Sequence, residues 1–191
     1  YITDRLQNVS SPESLVALLN DMQQMAFELE LVKFPFKDIS LKQMLKIINR
    51  RDRKYKTFSI PKKSGGSRTI TAPSDDLKLI QKWLNVALQG IFTPHSCATG
   101  FILGRSVVTN AAMHTGKKYV FNIDLKDFFP SVKESRVRAV LHKTNPFRLH
   151  QDGAALIARL SCRRYALPQG APTSPVLSNA VCMKLDRRLY P

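Results

Sequence analysis

Two aspartates and two phenylalanines follow an apolar run in the middle of the chain. The stretch from Val120 to Ser131 reads V-F-N-I-D-L-K-D-F-F-P-S. Its apolar part predicts a strand over residues 119–125, which would place Asp124 at the carboxyl edge of a sheet, where ligand sites tend to lie. A carboxylate there, followed by turn backbone, offers oxygen ligands that Mg²⁺ accepts alongside phosphate and water. The alternative interpretation is that Asp124 and Asp127 only cap a turn.

The charge of the chain indicates a polyanionic partner. Thirty Lys and Arg against 14 Asp and Glu give 191 residues a formal charge of +16. The first 50 residues carry six basic and six acidic side chains, so the whole excess falls on residues 51–191. Nucleic acid is the first candidate for such a partner, and an anionic membrane surface is the second.

Composition excludes several other classes of protein. Cys97, Cys162 and Cys182 lack the spacing of a zinc site or a disulfide framework, and a reducing cytoplasm fits them best. No apolar run is long enough to span a membrane, and no export signal opens the chain. The first residue is Tyr1, so we expect the chain to be part of a longer protein.

The elements that must position these residues are mostly helices. Ser11, Ser40, Ser74 and Ser106 precede amphipathic patterns and predict four helix starts, the fourth helix running to Gly116. Ser131 and Glu134 predict a capping box that opens another helix. Further helices are predicted over residues 153–161 and 176–189, and a short strand over 164–167. From Lys56, K-T-F-S-I-P-K-K-S-G-G-S-R-T-I-T-A-P predicts a basic β-hairpin.

Two blocks of sequence resemble core motifs of reverse transcriptases. They are F-N-I-D-L-K-D-F-F-P-S and, about 40 residues later, L-P-Q-G-A-P-T-S-P. The hairpin segment I-P-K-K-S-G-G-S-R-T-I resembles the fingers motif of that family, and T-G-F-I-L-G-R-S resembles its next block, so the resemblance covers about residues 55–190. N-A-A-M-H, from Asn110 to His114, resembles the N-A-x-x-H signature of retron reverse transcriptases, although His114 alone could be a helix-end histidine.

The resemblance implies a role for each matched position. Asp124 and the Leu125 carbonyl would bind metal, as part of a site for two Mg²⁺ ions in the intact enzyme. Asp127 would shape the turn that faces the triphosphate, and Phe129 would exclude a 2′-hydroxyl, whereas Phe128 is expected in the core. The implied nucleotide-binding residues are Lys62, Lys63, Arg68 and Gln169, and the implied nucleic-acid-binding residues are Arg105, Asn110, His114, Gly170 and Pro172.

Each basic or turn residue also has a simpler interpretation. The hairpin cations could form a solvated face, and Gln169 could belong to a rigid turn and nothing more. Other cations are expected to contact nucleic-acid backbone, with an affinity that falls as salt rises: Lys117, Lys118, Arg163 and Arg164.

The resemblance implies an α+β fold, helix-rich with a basic β-hairpin, that forms the fingers and part of the palm of a right-hand polymerase. We expect an N-terminal helical region over residues 1–50, fingers over 51–118 and a partial palm over 119–191. The sequence contains neither the Y-x-D-D hairpin of the family nor a thumb, so we expect the isolated chain to be inactive.

The function implied by the resemblance is that of a cytoplasmic RNA-directed DNA polymerase of retron type. The intact enzyme would copy a structured non-coding RNA into DNA, using an RNA template, an RNA–DNA duplex and deoxynucleoside triphosphates. A role in phage defence, with an effector protein, is implied as well. The alternatives are a group II intron-type or other bacterial reverse transcriptase, and a non-catalytic RNA-binding protein of the same fold.

Overall fold

A computed structural model describes residues 1–31, 38–62 and 65–190. Within these ranges the first half of the chain forms α1 Ile2–Gln7, α2 Pro12–Glu28, α3 Leu41–Asn49, a 3-10 turn Arg51–Arg53, β1 Tyr55–Pro61, β2 Ser67–Pro73 and α4 Asp75–Ile91. The second half forms α5 Val107–Ala112, α6 Phe128–Ser131, α7 Glu134–Lys143, α8 Gln151–Ser161 and α9 Ser174–Leu189. The predicted helix-rich α+β class is therefore confirmed.

Serine side chains open three of the helices as the sequence predicts. The Ser11 hydroxyl accepts a hydrogen bond from the Ser14 amide at 3.2 Å, and the Ser14 hydroxyl accepts one from the Ser11 amide at 3.1 Å. Ser40 and Ser106 accept the corresponding amide hydrogen bonds at the starts of α3 and α5. These bonds satisfy amide groups that the first turn of a helix leaves without a partner.

One apolar core joins the helices. Each long helix directs a stripe of apolar side chains inward, and these side chains are almost fully buried. Representative members of this stripe are Leu15, Leu18, Met44, Ile47, Ile80, Leu84, Val137, Leu141, Ile157 and Leu177. Phe92 and Phe147 stack within the core with ring centroids 5.3 Å apart. The core fixes α4, α7, α8 and α9 as a rigid base for the hairpin.

The hairpin is the one sheet within the described ranges. Its strands are antiparallel, with Tyr55 opposite Pro73 and Pro61 opposite Ser67. The Gln81 side-chain amide anchors its base, because it donates to the Tyr55 hydroxyl at 2.9 Å and to the Leu160 carbonyl at 2.8 Å. The predicted basic hairpin is confirmed, and its root is fixed to α4 and α8.

Neither predicted palm strand forms. Residues 119–125 form no strand and have no strand beside them in the described part of the chain, and Phe121 is 86% exposed. An extended segment becomes a strand only when a neighbour accepts and donates its backbone hydrogen bonds. Over residues 164–167, the pairing is limited to single bridges between Ala166 and Lys133 and between Ala166 and Arg163.

Two predicted helix boundaries are also wrong. The helix capped by Ser106 ends at Ala112 instead of Gly116, because residues 113–116 form a turn. The predicted capping box does not form: the Ser131 hydroxyl donates to the Phe128 carbonyl at 2.7 Å, and the Glu134 carboxylate pairs with Arg51 at 3.0 Å. Helix α7 nevertheless begins at Glu134.

Among the described residues, no helix combines the length and the apolar character needed to cross a bilayer.

Candidate active site

A cavity of about 840 Å³ lies between the hairpin, residues 124–130 and the turn around Pro168. It brings together residues that are as much as about 100 positions apart in the chain. Seven of the predicted site residues line it: Lys62, Arg68, Asp124, Leu125, Asp127, Phe129 and Gln169. The fold therefore gathers the residues that resembled separate family motifs around one space.

The lining of this cavity is strongly basic. Six cations line it, namely Lys62, Arg68, Lys126, Lys133, Arg163 and Arg164, against the two carboxylates of Asp124 and Asp127. Arginine can hold phosphate oxygens in a fork, and lysine acts as a point charge. A space with this excess of cations suits a ligand with several phosphates, while its two carboxylates provide a place for a cation beside them.

The turn over residues 167–170 is joined to the hairpin by its backbone. The Thr71 amide donates a hydrogen bond to the Gln169 carbonyl at 2.7 Å. Gly170 has φ +125°, and a Cβ atom there would lie 2.9 Å from Ile70 Cγ2 and 3.1 Å from the Thr71 carbonyl oxygen. Glycine is needed at this position because it alone permits both that backbone angle and that approach.

Two further hydrogen bonds fix the same turn, and a third fixes the segment before it. The buried Ser174 hydroxyl donates to the Pro168 carbonyl at 2.7 Å, and the Leu167 amide donates to the Val132 carbonyl at 3.0 Å. The Arg163 guanidinium, in the segment that precedes this turn, donates to the Thr57 hydroxyl at 2.7 Å and ties that segment to β1. Gln169 therefore projects from a rigid support, half-buried at the cavity edge.

Asp127 bends the chain immediately before the two phenylalanines. Its backbone is left-handed, with φ 51° and ψ 41°, and its carbonyl accepts the Ser131 amide at 3.0 Å, which closes the short helix α6. The left-handed conformation is uncommon for residues other than glycine, although aspartate tolerates it better than most. This geometry supports the predicted part of Asp127 in shaping the turn.

Phe128 and Phe129 have similar surroundings. Both are half-buried against the apolar core, with ring centroids 5.5 Å apart, and Phe101 lies 6.0 Å from Phe129. Both also line the cavity. The different roles expected of the two rings, a packing role for Phe128 and a sugar-facing role for Phe129, remain predictions.

Asp124 and Leu125 are exposed at the mouth of the cavity. Across residues 1–31, 38–62 and 65–190, no group of three His, Cys, Asp or Glu side chains is close enough to hold a metal ion. A two-ion centre requires several carboxylates. The described residues therefore do not form such a centre by themselves.

The predicted nucleic-acid-binding residues lie outside this cavity. The Arg105 guanidinium donates to the carbonyls of His95, Ser96 and Ala98, and it organises that loop. Asn110 and His114 are exposed on α5 and the turn after it. Gly170 and Pro172 lie in the turn beside the cavity. Lys63 lies outside the described residues.

Sequence patterns gave no signal for the Arg51–Glu134 pair. The two side chains are 83 positions apart, and their nitrogen and oxygen atoms are 3.0 Å apart behind the cavity wall. Arg51 also lies 5.3 Å from the centroid of the Tyr165 ring. The hydrogen bond from Arg163 to the Thr57 hydroxyl was not predicted either. The sequence suggested only that Arg163 contacts nucleic-acid backbone.

Burial raises the pKa of two titratable groups near the turn, Cys162 and Tyr55. Burial raises the pKa of the Cys162 thiol to about 12, with a smaller contribution from the Glu134 carboxylate. Burial also raises the pKa of the Tyr55 phenol, against the hydrogen bond from Gln81. Both groups are neutral at pH 7, which is consistent with a structural role.

Residues 60–191 match the protein family described as reverse transcriptase (RNA-dependent DNA polymerase). Among curated proteins, the chain is 40% identical over 153 residues to the retron Mx162 reverse transcriptase of Myxococcus xanthus. It is 35% identical over 153 residues to the retron Ec86 reverse transcriptase of Escherichia coli. These alignments cover 71% and 79% of the chain, but 31% and 47% of the respective relatives. The chain thus spans less than half the length of these relatives.

Proposed function

Because the chain belongs to the reverse transcriptase family, we propose that it forms the nucleotide-binding part of an RNA-directed DNA polymerase of retron type. One observation carries the proposal: Lys62, Arg68, Asp124, Phe129 and Gln169 converge on one cavity. These residues come from three separate segments that resemble family motifs. A protein that only bound RNA would have no need to gather a carboxylate and a half-buried ring among phosphate-binding cations.

The cations of the cavity hold the phosphates of an incoming deoxynucleoside triphosphate. Lys62 and Arg68 line the cavity from the hairpin, and Lys133 lines it from the residue before α7. DNA synthesis is a phosphoryl transfer in which the primer hydroxyl attacks the α-phosphate, so the protein acts mainly by positioning reactants and neutralising charge. Because the hairpin is hydrogen-bonded to the turn that carries Gln169, the hairpin cations keep a fixed position relative to the side chain that contacts the sugar and base.

Phe129 sets the choice of sugar in this proposal. Its ring is held between Phe128 and Phe101 and lines the cavity. A ring fixed against C2′ leaves no room for a 2′-hydroxyl, so deoxynucleotides are selected by exclusion. Gln169, on the rigid turn, contacts the nucleotide near its sugar and base.

Asp124 supplies one carboxylate to a metal site. Reverse transcriptases generally use divalent metal ions, which neutralise phosphate charge when bound. In this proposal the Asp124 carboxylate and the Leu125 carbonyl, from two residues that line the cavity, bind a cation that also contacts phosphate. Two Mg²⁺ ions would need further carboxylates from outside the described residues.

The partners in this proposal are an RNA template and the RNA–DNA duplex that copying produces. Nucleic-acid contact in this proposal also involves Asn110, His114, Gly170 and Pro172. The net positive charge favours an RNA ligand, and we propose that the protein acts in the cytoplasm. As the resemblance to retron reverse transcriptases implies, the proposal extends to copying of a structured non-coding RNA and to a role in phage defence with an effector protein.

Primer extension by the full-length protein tests this function. With a primed RNA template, Mg²⁺ and deoxynucleotides, the expected product is DNA that resists ribonuclease and is degraded by deoxyribonuclease. Binding of the primed template without any incorporation of deoxynucleotide would contradict the proposal and favour a non-catalytic RNA-binding protein.

A further inference from the structure

Tyr165 lies in a tight turn with an uncommon backbone. Arg163 and Ala166 exchange two backbone hydrogen bonds, of 2.9 and 3.1 Å, around Arg164 and Tyr165. The two central residues have φ 47° and φ 62°. Positive φ at both centres is the requirement of a type I′ turn, which asparagine and glycine normally fill. An arginine and a tyrosine in these places carry a conformational cost, and such costs persist where they serve a function.

The turn holds the Tyr165 ring out from the surface. Tyr165 is 69% exposed, while Arg51 supports the ring with its guanidinium carbon 5.3 Å from the ring centroid. Arg51 is itself fixed, because it donates to the Glu134 carboxylate and to the Arg159 carbonyl. An exposed aromatic ring on a rigid support is the element that stacks on an unpaired base.

Two grooves meet at this ring. One of about 540 Å³ runs past α7, and the other of about 470 Å³ runs past the 3-10 turn, and both are lined by Tyr165 and Arg159. We call this region the Tyr165 surface. It consists of the Tyr165 ring and the five exposed cations that line the two grooves, namely Arg50, Arg53, Lys133, Arg138 and Arg159.

The charge of the Tyr165 surface is not balanced from within. Among the described residues, none of its five cations forms an ion pair. The two acids that line the grooves are already engaged: Glu134 pairs with Arg51, and the Asp52 carboxylate accepts the Arg164 amide at 2.9 Å. The surface therefore presents cations free to bind phosphate on both sides of the ring.

The Tyr165 surface is continuous with the candidate active site. Lys133 lines both the groove past α7 and the cavity that contains Asp124. Arg163 and Arg164, on the turn that carries Tyr165, line that cavity as well. A strand leaving the cavity past Lys133 would meet the exposed ring.

We propose that the Tyr165 surface binds a single-stranded segment of RNA, with one unpaired base stacked on Tyr165 and the flanking phosphates held by its cations. The proposal rests on the proposed function, because it takes RNA to be the partner. A ring with cations on both sides, at a junction of two grooves, favours a strand that can splay a base outward over a regular duplex, whose bases are stacked inside.

Tyr165→Gly in the full-length protein is the sharpest test. Glycine suits the second centre of a type I′ turn better than tyrosine, so this variant removes the ring and eases the backbone. Its affinity for an unstructured, fluorescein-labelled RNA, measured by anisotropy, should fall roughly tenfold. The slope of log affinity against log salt should stay unchanged, because no phosphate contact is lost. Tyr165→Phe should bind within about twofold of the wild type, because it keeps the ring.

A matched control is provided by Tyr1. It is 66% exposed and lies 5.4 Å from the Arg5 guanidinium carbon, yet Arg5 is already paired with Asp21. Tyr1→Ala should leave RNA affinity unchanged. A second arm uses the same RNA with abasic sites, to which wild type and Tyr165→Gly should bind equally.

The outcomes separate this inference from the proposed function. Equal binding of intact RNA by wild type and Tyr165→Gly, or an equal loss with abasic RNA, would overturn base stacking at Tyr165 even if primer extension is normal. A wild-type protein that neither binds RNA nor extends a primer would instead contradict the proposed function.

Discussion

The Thr71 amide donates a hydrogen bond of 2.7 Å to the Gln169 carbonyl, and this bond joins the basic hairpin to the turn on the opposite side of the cavity. Gly170 allows the two backbones to approach each other. The position of the phosphate-binding cations is therefore set by a contact between two segments that are about 100 residues apart. Changes at this contact should affect nucleotide binding without removing any group that touches the nucleotide.

Gly170→Ala should weaken both the fold and nucleotide use. The added Cβ would approach Ile70 Cγ2 to 2.9 Å at a φ of +125°, so the hairpin must move or the turn must strain. We expect a loss of about 1–3 kcal/mol in the free energy of unfolding. The full-length enzyme should lose roughly tenfold or more in kcat/KM for deoxynucleotides, because a small displacement of binding groups is costly.

Gly90→Ala is the control for this change. An added Cβ at Gly90 meets nothing within 4 Å, and the residue lies near the end of α4. Alanine should therefore stabilise the protein by up to about 1 kcal/mol in urea unfolding and leave kinetics unchanged. If Gly170→Ala and Gly90→Ala have the same free energy of unfolding and both keep the wild-type kcat/KM, the close approach of the backbones at Gly170 is not needed for nucleotide use.

Phe129→Ala should relax the choice of sugar. Removing the ring opens space beside C2′, so incorporation of ribonucleotides should rise relative to deoxynucleotides, by roughly tenfold or more. Phe128→Ala is the matched control, since its ring is equally half-buried and lies 5.5 Å away. Both variants should lose stability, but sugar selectivity should change in Phe129→Ala only. A shift of equal size in both would count against a specific gate.

Glu134→Gln should destabilise the fold strongly. Arg51 is almost fully buried and would keep its charge without a full counter-charge. Breaking one side of such a pair costs about 3 kcal/mol. Glu28→Gln, at an exposed carboxylate that accepts a hydrogen bond from Gln24, should change stability by less than about 0.5 kcal/mol. Equal midpoints in urea for the two variants would show that the Arg51 pair contributes little.

Stability should fall as the pH rises above about 9, which is the ordinary pKa of a cysteine thiol such as that of Cys162. In the unfolded chain this thiol ionises near that pH, but in the folded protein burial holds its pKa at about 12. The folded state then binds more protons than the unfolded state, so the free energy of unfolding falls by up to about 1.4 kcal/mol per pH unit for this group. The loss should extend to about pH 12.

Cys162→Ala isolates this contribution. Its free energy of unfolding should decline less steeply over the same pH range, although Tyr55 and the other thiols still contribute. Identical slopes for wild type and Cys162→Ala would mean that the buried thiol does not govern this range. At neutral pH, Cys162 should also resist alkylation until the protein unfolds, because burial and a raised pKa both suppress the thiolate.

Local patterns predicted the elements that depend on local interactions. Serine caps and apolar periodicity gave the starts of α2, α3 and α5, and the Gly-Gly turn gave the hairpin. The strand over residues 119–125 was predicted wrongly, because a strand depends on a partner elsewhere in the chain, and no such partner lies among the described residues. The apolar run predicted a strand, but the described residues offer it no strand to pair with.

The sequence predicted which residues line the site, but it did not predict the contacts that hold those residues in place. Family resemblance identified Lys62, Arg68, Asp124, Phe129 and Gln169, which line one cavity. The contacts that hold the cavity together involve side chains far apart in sequence, such as Arg163 with Thr57 and Arg51 with Glu134. No spacing rule reveals such contacts, because they arise only when the core has brought the elements together.

Primer extension by the full-length Asp124→Asn variant tests whether the Asp124 carboxylate binds a metal ion needed for DNA synthesis. Asparagine keeps the shape of the side chain but lacks the negative charge that a cation beside phosphate requires. Synthesis on a primed RNA template should fall by at least about a thousandfold, while RNA affinity stays within about twofold. Asp75→Asn, an exposed aspartate in the first turn of α4, should extend primers normally. Extension by Asp124→Asn at the wild-type rate would show that the Asp124 carboxylate does not bind a metal ion needed for synthesis.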